Sequence, residues 1–174
     1  MCGQENGLIT IWDLTTMSEI KKELATDTKI VKMLFCSESQ FILADLEGNV
    51  YLFTIENYFW IKLKKDRLFE KSNSVFYDVK VHTLQTAVEV IVLCSLEQVL
   101  VATYKPKVEA IDRIIRPDNL VHSKVPNIEI GKTAVLYLHD PSNKHFQYND
   151  VLCVSWGNQI LVYKFMEGVR LEKL

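Results

Sequence analysis

The sequence predicts an all-β chain built from one antiparallel unit repeated about four times. Three observations carry this. Four stretches share one hairpin pattern, two β-forming runs around a short polar turn: CGQENGLITIWDL, QFILADLEGNVYLFTI, VEVIVLCSLEQVLVATY and DVLCVSWGNQILVYKF. Each is followed by a strand-compatible segment that mixes apolar residues with several charges, and the last three are preceded by a further apolar run. These segments are rich in Val, Ile, Tyr and Phe and hold no sustained 3.6-residue period, which excludes a helical chain.

The elements follow in order. The first hairpin turns at Asn6-Gly7, residue types that accept positive φ at little cost, and the charged EIKKEL (19–24) comes next. The second unit opens with KIVKMLFC (29–36), turns at Glu47-Gly48-Asn49 and ends with YFWIKLKKDRLF (58–69). The third opens with SVFYDVKV (74–81), turns near Glu97 and ends with KVEAIDRII (107–115). A loop over 115–132 carries two prolines and a glycine. The fourth unit opens with TAVLYLHD (133–140), turns at Gly157-Asn158 and closes with VRLEKL (169–174). Its hairpin holds no charge between Val151 and Tyr163. It is nevertheless shorter than the roughly 20 residues of a membrane helix, and apolar residues on both alternating faces predict strands covered on both sides.

The unit is therefore an inner strand, two buried middle strands and a charged outer strand. Charges on an outer strand discourage pairing with another chain. That order is the order within a blade of a β-propeller, where neighbouring blades cover both faces of the middle strands. A β-sandwich also has many short strands, but does not predict this recurring polarity. Gly7 and Gly48 lie 41 residues apart (48 − 7), near the period of about 40–45 for four-stranded blades. Later spacings are longer, and the 115–132 loop holds part of the excess. The expected blades cover 1–27, 28–70, 71–117 and 130–174, all within one partial propeller over 1–174. Because the first unit starts at its second strand, the chain is expected to be a fragment of a larger propeller, with Met1 not its natural start. Faces left open are expected through Leu8, Ile9, Ile11 and Trp12 in the first unit and Leu152, Val154, Leu161 and Tyr163 in the fourth. The isolated chain is accordingly expected to associate.

Composition narrows the function classes. A hydrophobic fraction of 48% and a charged fraction of 24% are those of an ordinary globular chain. A net charge of −2 exerts no global pull on nucleic acid or acidic membranes. The start, MCGQENGLITIW, lacks the basic segment of a secretory signal. Cys2, Cys36, Cys94 and Cys153 are widely spaced and mostly within apolar strands, which predicts thiols acting as small core residues in a reducing, cytoplasmic setting.

Catalytic signatures are missing from the sequence. His139 and His145, with Asp140 adjacent, form the one close histidine pair, but further metal ligands at matched spacing are absent. His82 and His122 have no recognisable sequence partner. Glycines are scattered without a phosphate-cradling cluster, and there is no Gly-x-Ser-x-Gly elbow. The expectation is a non-enzyme with no catalytic, cofactor-binding or metal residues and no cofactor. Two further features have sharper readings. Lys62, Lys64, Lys65 and Arg67, beside Tyr58, Phe59 and Trp60, could contact lipid headgroups or nucleic acid; the favoured reading is a solvated outer strand whose aromatics pack inward. Trp12-Asp13 is expected to be structural, the indole packed between blades and the carboxylate in the turn leaving the strand.

GLITIWDL, the Lys-Ile-Val-Lys segment and ADLEGNVYLFTI together resemble consecutive blades of a WD40-like propeller. EVIVLCSLEQVLVATYKPKVEAIDRI, then RPDN, a Val-Pro pair and NDVLCVSWGNQILVYKF, resembles the N-terminal propeller of the vacuolar protein sorting 8 family, with Lys105-Pro106 and Arg116-Pro117-Asp118 the most distinctive points. Members of that family are subunits of CORVET, the endosomal tethering complex. They also carry an α-solenoid and a RING-type domain, for which this chain has no room. The resemblance implies a non-catalytic interaction scaffold in vesicle tethering and vacuolar or lysosomal protein sorting. The implied partners are the other tethering-complex subunits and an early-endosomal Rab GTPase, with peripheral membrane association through those partners and no nucleic acid. The alternatives are a propeller scaffold of a different trafficking complex and a propeller enzyme.

Overall fold

The computed structural model describes residues 1–57, 60–70, 74–84, 86–105, 109–117, 132–138, 149–156, 159–166 and 170–174. The predicted Gly157-Asn158 turn, most of the 115–132 loop, Tyr58, Phe59, Pro106, Asp118, His122, His139, Asp140 and His145 lie outside the described residues.

Four antiparallel sheets follow one another along the chain, each with its strands in sequence order. The first holds β1 (Cys2–Gly3), β2 (Leu8–Asp13) and β3 (Ser18–Leu24). The second holds β4 (Ile30–Ser37), β5 (Gln40–Asp45), β6 (Val50–Asn57) and β7 (Ile61–Phe69). The third holds β8 (Asp78–Thr83), β9 (Glu89–Cys94), β10 (Gln98–Lys105) and β11 (Glu109–Ile115). The fourth holds β12 (Lys132–Leu138), β13 (Asn149–Trp156), β14 (Gln159–Phe165) and β15 (Leu171–Lys173). This is the all-β, four-sheet architecture that the hairpin pattern predicts. The third unit's inner strand starts later than the predicted 74–81, at Asp78, with Phe76 fully buried ahead of it.

Two compact units divide the chain, Met1–Val79 and Lys80–Leu174. In the first, Phe41, Leu43, Tyr51 and Phe53 project from one face of the second sheet and pack with Ile9 and Ile11 of the first and with Ala25 just after β3. The Phe41 and Phe53 rings stack with centroids 4.9 Å apart. The opposite face of β5 and β6 carries Ile42, Ala44 and Val50, also fully buried. Burial on both faces explains why QFILA is apolar at consecutive rather than alternate positions. In the second unit, Val90, Val92, Cys94, Val99, Val101 and Ile114 pack with Leu152, Val154, Trp156 and Phe165.

That packing corrects the expected open faces. Leu152 and Val154 are completely buried, and Leu161 and Tyr163 pack against the same cluster. Ile9 and Ile11 are buried too. Each unit sets two sheets face to face, and these residues lie on the covered sides. Of the residues named, Trp12 alone is exposed as expected, and the other large apolar residues exposed in those two hairpins are Leu14 and Ile160. The thiols also differ from expectation: only Cys94 is buried, Cys36 and Cys153 are half-buried, and Cys2 is exposed.

The turns show how local chemistry sets register. Gly7 N–H donates to the Gln4 carbonyl at 3.2 Å and Gly48 N–H to the Asp45 carbonyl at 3.1 Å, and both glycines have φ of +78°. Each closes a hairpin loop whose last residue must be left-handed. The Asp45 carboxylate, fully buried, accepts hydrogen bonds from the Glu47 and Asn49 amides, the Asn49 side chain and the Thr26 hydroxyl (2.6 Å). The third hairpin has no glycine. There the Ser95 hydroxyl accepts from Gln98 N–H at 3.0 Å and ties the turn.

Candidate interaction surface

The strand β7 carries the basic cluster, and its alternation divides that cluster between two faces. Leu63, Lys65 and Arg67 stand opposite Ile55, Phe53 and Tyr51 of β6, on the face turned to the first sheet. Lys62 and Lys64 project from the other face. Lys62 pairs with Glu56 at 3.9 Å, Lys64 with Asp66 at 3.3 Å and Arg67 with Glu70 at 2.5 Å. The cations are thus split and locally neutralised rather than gathered into one electropositive field. Trp60, just before the strand, is largely exposed, so the expected inward packing of the aromatics does not hold for it.

Lys65 has a further role. Its Nζ sits 4.0 Å above the Tyr51 ring and donates to the Ala25 carbonyl at 2.5 Å. From the first sheet, Lys21 reaches back, donating to the Ile61 carbonyl at 3.0 Å while pairing with Glu23 at 2.8 Å. Two lysines therefore pin the outer strands β3 and β7 to one another. Partial burial lowers the Lys65 ammonium below its ordinary 10.5, and the neighbouring Arg67 charge adds to the effect. Burial raises the Tyr51 phenol above 10.0, reinforced by the Asp45 carboxylate. A lysine among such groups is an anchor, and sequence alternation alone (Leu63-x-Lys65-x-Arg67) was the signal for its inward face.

Trp12-Asp13 is half as predicted. Asp13 accepts from the Thr15 amide at 2.7 Å and the Thr16 amide at 3.3 Å, holding the turn that leaves β2. These bonds keep its carboxyl below the ordinary 3.8. The Trp12 indole is substantially exposed rather than packed, because it lies on the face of the first sheet away from Phe41 and Phe53.

In the second unit, His82 does have a partner: its Nε2 lies 3.4 Å from Asp150 Oδ1. Lys80 donates to the Thr133 carbonyl, and Cys94 Sγ lies 3.4 Å from the Thr133 hydroxyl. These contacts tie β8 and β9 to β12 and β13, and separations of 39 to 68 residues hide them from sequence inspection. Among the described residues there is no group of three or more His, Cys, Asp or Glu side chains able to hold a metal. No described helix is long and apolar enough to cross a membrane.

Comparison with known families settles the kinship of this arrangement of sheets. The family model described as the Vps8 beta-propeller matches residues 1–172. The chain belongs to the Vps8 β-propeller family. Its four antiparallel sheets are accordingly propeller blades, and the family is one of trafficking scaffolds rather than an enzyme class. No curated protein matches the chain.

Proposed function

We propose that this Vps8-family chain is a non-catalytic protein-interaction scaffold in endosomal vesicle tethering, serving vacuolar or lysosomal protein sorting. The observation that carries the proposal is the family match over residues 1–172. Its partners are the other subunits of a CORVET-type tethering complex and an early-endosomal Rab GTPase, and through them it sits peripherally on the early endosome. Support also comes from the divided, ion-paired cations of β7, which weigh against direct capture by anionic lipid or nucleic acid.

The test is reconstitution. The chain is immobilised and offered purified tethering-core subunits, and separately an early-endosomal Rab loaded with GTP or GDP. Saturable binding of at least one of them is expected. Binding to none, with circular dichroism showing an intact β fold, defeats the proposal. Metal analysis and a hydrolase screen run alongside, where a stoichiometric metal or robust turnover would count against a scaffold.

A further inference from the structure

The first hairpin turn holds a chemically distinct asparagine. Of the nine asparagines in the chain, only Asn6 precedes a glycine. Asparagine is a thermolabile residue, and a following glycine makes it most so, because no Cβ hinders approach of the next main-chain nitrogen to the side-chain carbonyl. The fold fixes that glycine. Gly7 has φ of +78°, and a Cβ there would lie 1.9 Å from the Thr26 carbonyl oxygen, so a larger residue cannot enter without moving backbone. Asn6 itself is exposed, while Gly7 is buried.

The closed hairpin keeps the reacting groups occupied. Gly7 N–H donates to the Gln4 carbonyl at 3.2 Å, and the Asn6 side-chain oxygen accepts from Leu8 N–H at 3.3 Å. On the Gly7 side the turn is held firmly, because the Gly7 carbonyl accepts from the Ala25 and Thr26 amides at 3.0 and 3.3 Å. The other side is held weakly. β1 is two exposed residues at the edge of its sheet, with Cys2 opposite Thr10 and Gly3 opposite Ile9. Gln4 N–H donates to the Leu8 carbonyl at 2.8 Å, and a Cβ on Gly3 would lie 2.7 Å from Met33 Sδ, so β1 also rests on a β4 side chain. Short edge segments open locally at far lower free energy than a whole domain. Opening β1 carries the Gln4 carbonyl away and frees the Gly7 amide.

We infer that Asn6 is a self-modifying site, which deamidates through a cyclic imide when β1 opens and whose isoaspartyl product keeps β1 from closing again. The Gly7 nitrogen gives its proton to solvent base and bonds to Asn6 Cγ. The Cγ–Nδ2 bond breaks, and ammonia leaves with a proton taken back from solvent. Water then opens the imide at either carbonyl. Opening at Cγ gives aspartate with the main chain unchanged. Opening at the residue's main-chain carbonyl gives isoaspartate, whose chain runs through Cβ and Cγ and is one methylene longer. The net change is amide plus water to carboxylate plus ammonium. A longer link between Gln4 and Gly7 cannot keep both the Gln4–Leu8 bond and the contact of Gly7 with Thr26. Gly7 is wedged and doubly bonded, so β1 yields.

Peptide mapping by mass spectrometry of the chain aged in mildly alkaline buffer tests the site, with Asn49, which precedes valine, as the internal reference. Asn6 should convert at least tenfold faster than Asn49, with isoaspartate exceeding aspartate, and unfolding in urea should speed its conversion at least tenfold further. Hydrogen exchange reads the consequence. The Gln4 amide should lose protection at least tenfold in aged wild type. It should keep that protection in Asn6→Ser aged alongside, which lacks the reactive amide, and in fresh Asn6→Asp, which carries the charge without the added methylene. Conversion at Asn6 no faster than at Asn49 overturns the site. Equal rates in the folded and unfolded chain overturn its control by β1. Full conversion with Gln4 protection intact, protection lost equally in fresh Asn6→Asp, or a Gln4 amide already unprotected in fresh wild type overturns the release of β1.

Discussion

Gly7→Ala should be among the most damaging single-methyl additions to this chain. Gly7 has φ of +78°, and a Cβ there would lie 1.9 Å from the Thr26 carbonyl oxygen and 2.8 Å from the Thr28 oxygen. The left-handed conformation alone costs a residue with Cβ about 1–2 kcal/mol. Neither contacting atom is the end of a flexible side chain, so the backbone after β3 has to move away. That movement strains the bonds from the Ala25 and Thr26 amides to the Gly7 carbonyl, at 3.0 and 3.3 Å. Each is worth about 0.5–1.5 kcal/mol, which brings the expected loss to about 2–5 kcal/mol. Urea unfolding followed by tryptophan fluorescence gives the number, since a lower midpoint at constant slope reports stability. Gly48→Ala is the comparison, as Gly48 shares the φ of +78° and closes the same kind of loop. If Gly7→Ala costs less than 2 kcal/mol, or leaves the midpoint unchanged, the close approach of the first turn to Thr26 is refuted.

Three further outcomes follow from the turns. Ala87 closes a loop of the same type, donating to the Leu84 carbonyl at 2.8 Å with φ of 61°, so Ala87→Gly should stabilise by about 0.5–1 kcal/mol in thermal unfolding. Asp45→Ala should cost about 3–5 kcal/mol, because it strands buried donors on Thr26 and Asn49 and removes the acceptor of the Glu47 amide; a loss below 1 kcal/mol would show that these donors find other partners. Asp13, whose folded carboxyl titrates below 3.8, contributes stability that is present above 3.8 and is lost as pH falls through its folded value. Carbon-detected NMR titration should find it below the ordinary aspartate value, and Asp13→Asn should remove that part of the acid dependence.

The strand grammar was legible because burial on both faces and glycine turns leave marks within a few residues of one another. QFILADLEGNVYLFTI specifies a hairpin by itself, and the charged outer strands follow from their own composition. Turns without glycine left weaker marks: the Ser95 hydroxyl and the left-handed Ala87 do their work without a distinctive sequence signal. The candidate surface was less legible still. Trp12 and Trp60 have the residue type of a core and the exposure of a surface, and only the placement of the neighbouring sheet distinguishes the two. His82 with Asp150, and the lysines pinned to remote carbonyls, join positions whose proximity exists only after the sheets have stacked.

The two lysine anchors of the first unit have a consequence for how this seam can evolve. Their acceptors, at Ala25 and Ile61, are main-chain carbonyls. A carboxylate partner would be lost on substitution, but every residue type brings a carbonyl, so positions 25 and 61 are free to drift as far as packing allows. Only the donor side is constrained by chemistry. Substitution records should therefore show retained lysines at 21 and 65 without correlated changes across the seam, and covariation would fail to detect a contact that is physically there.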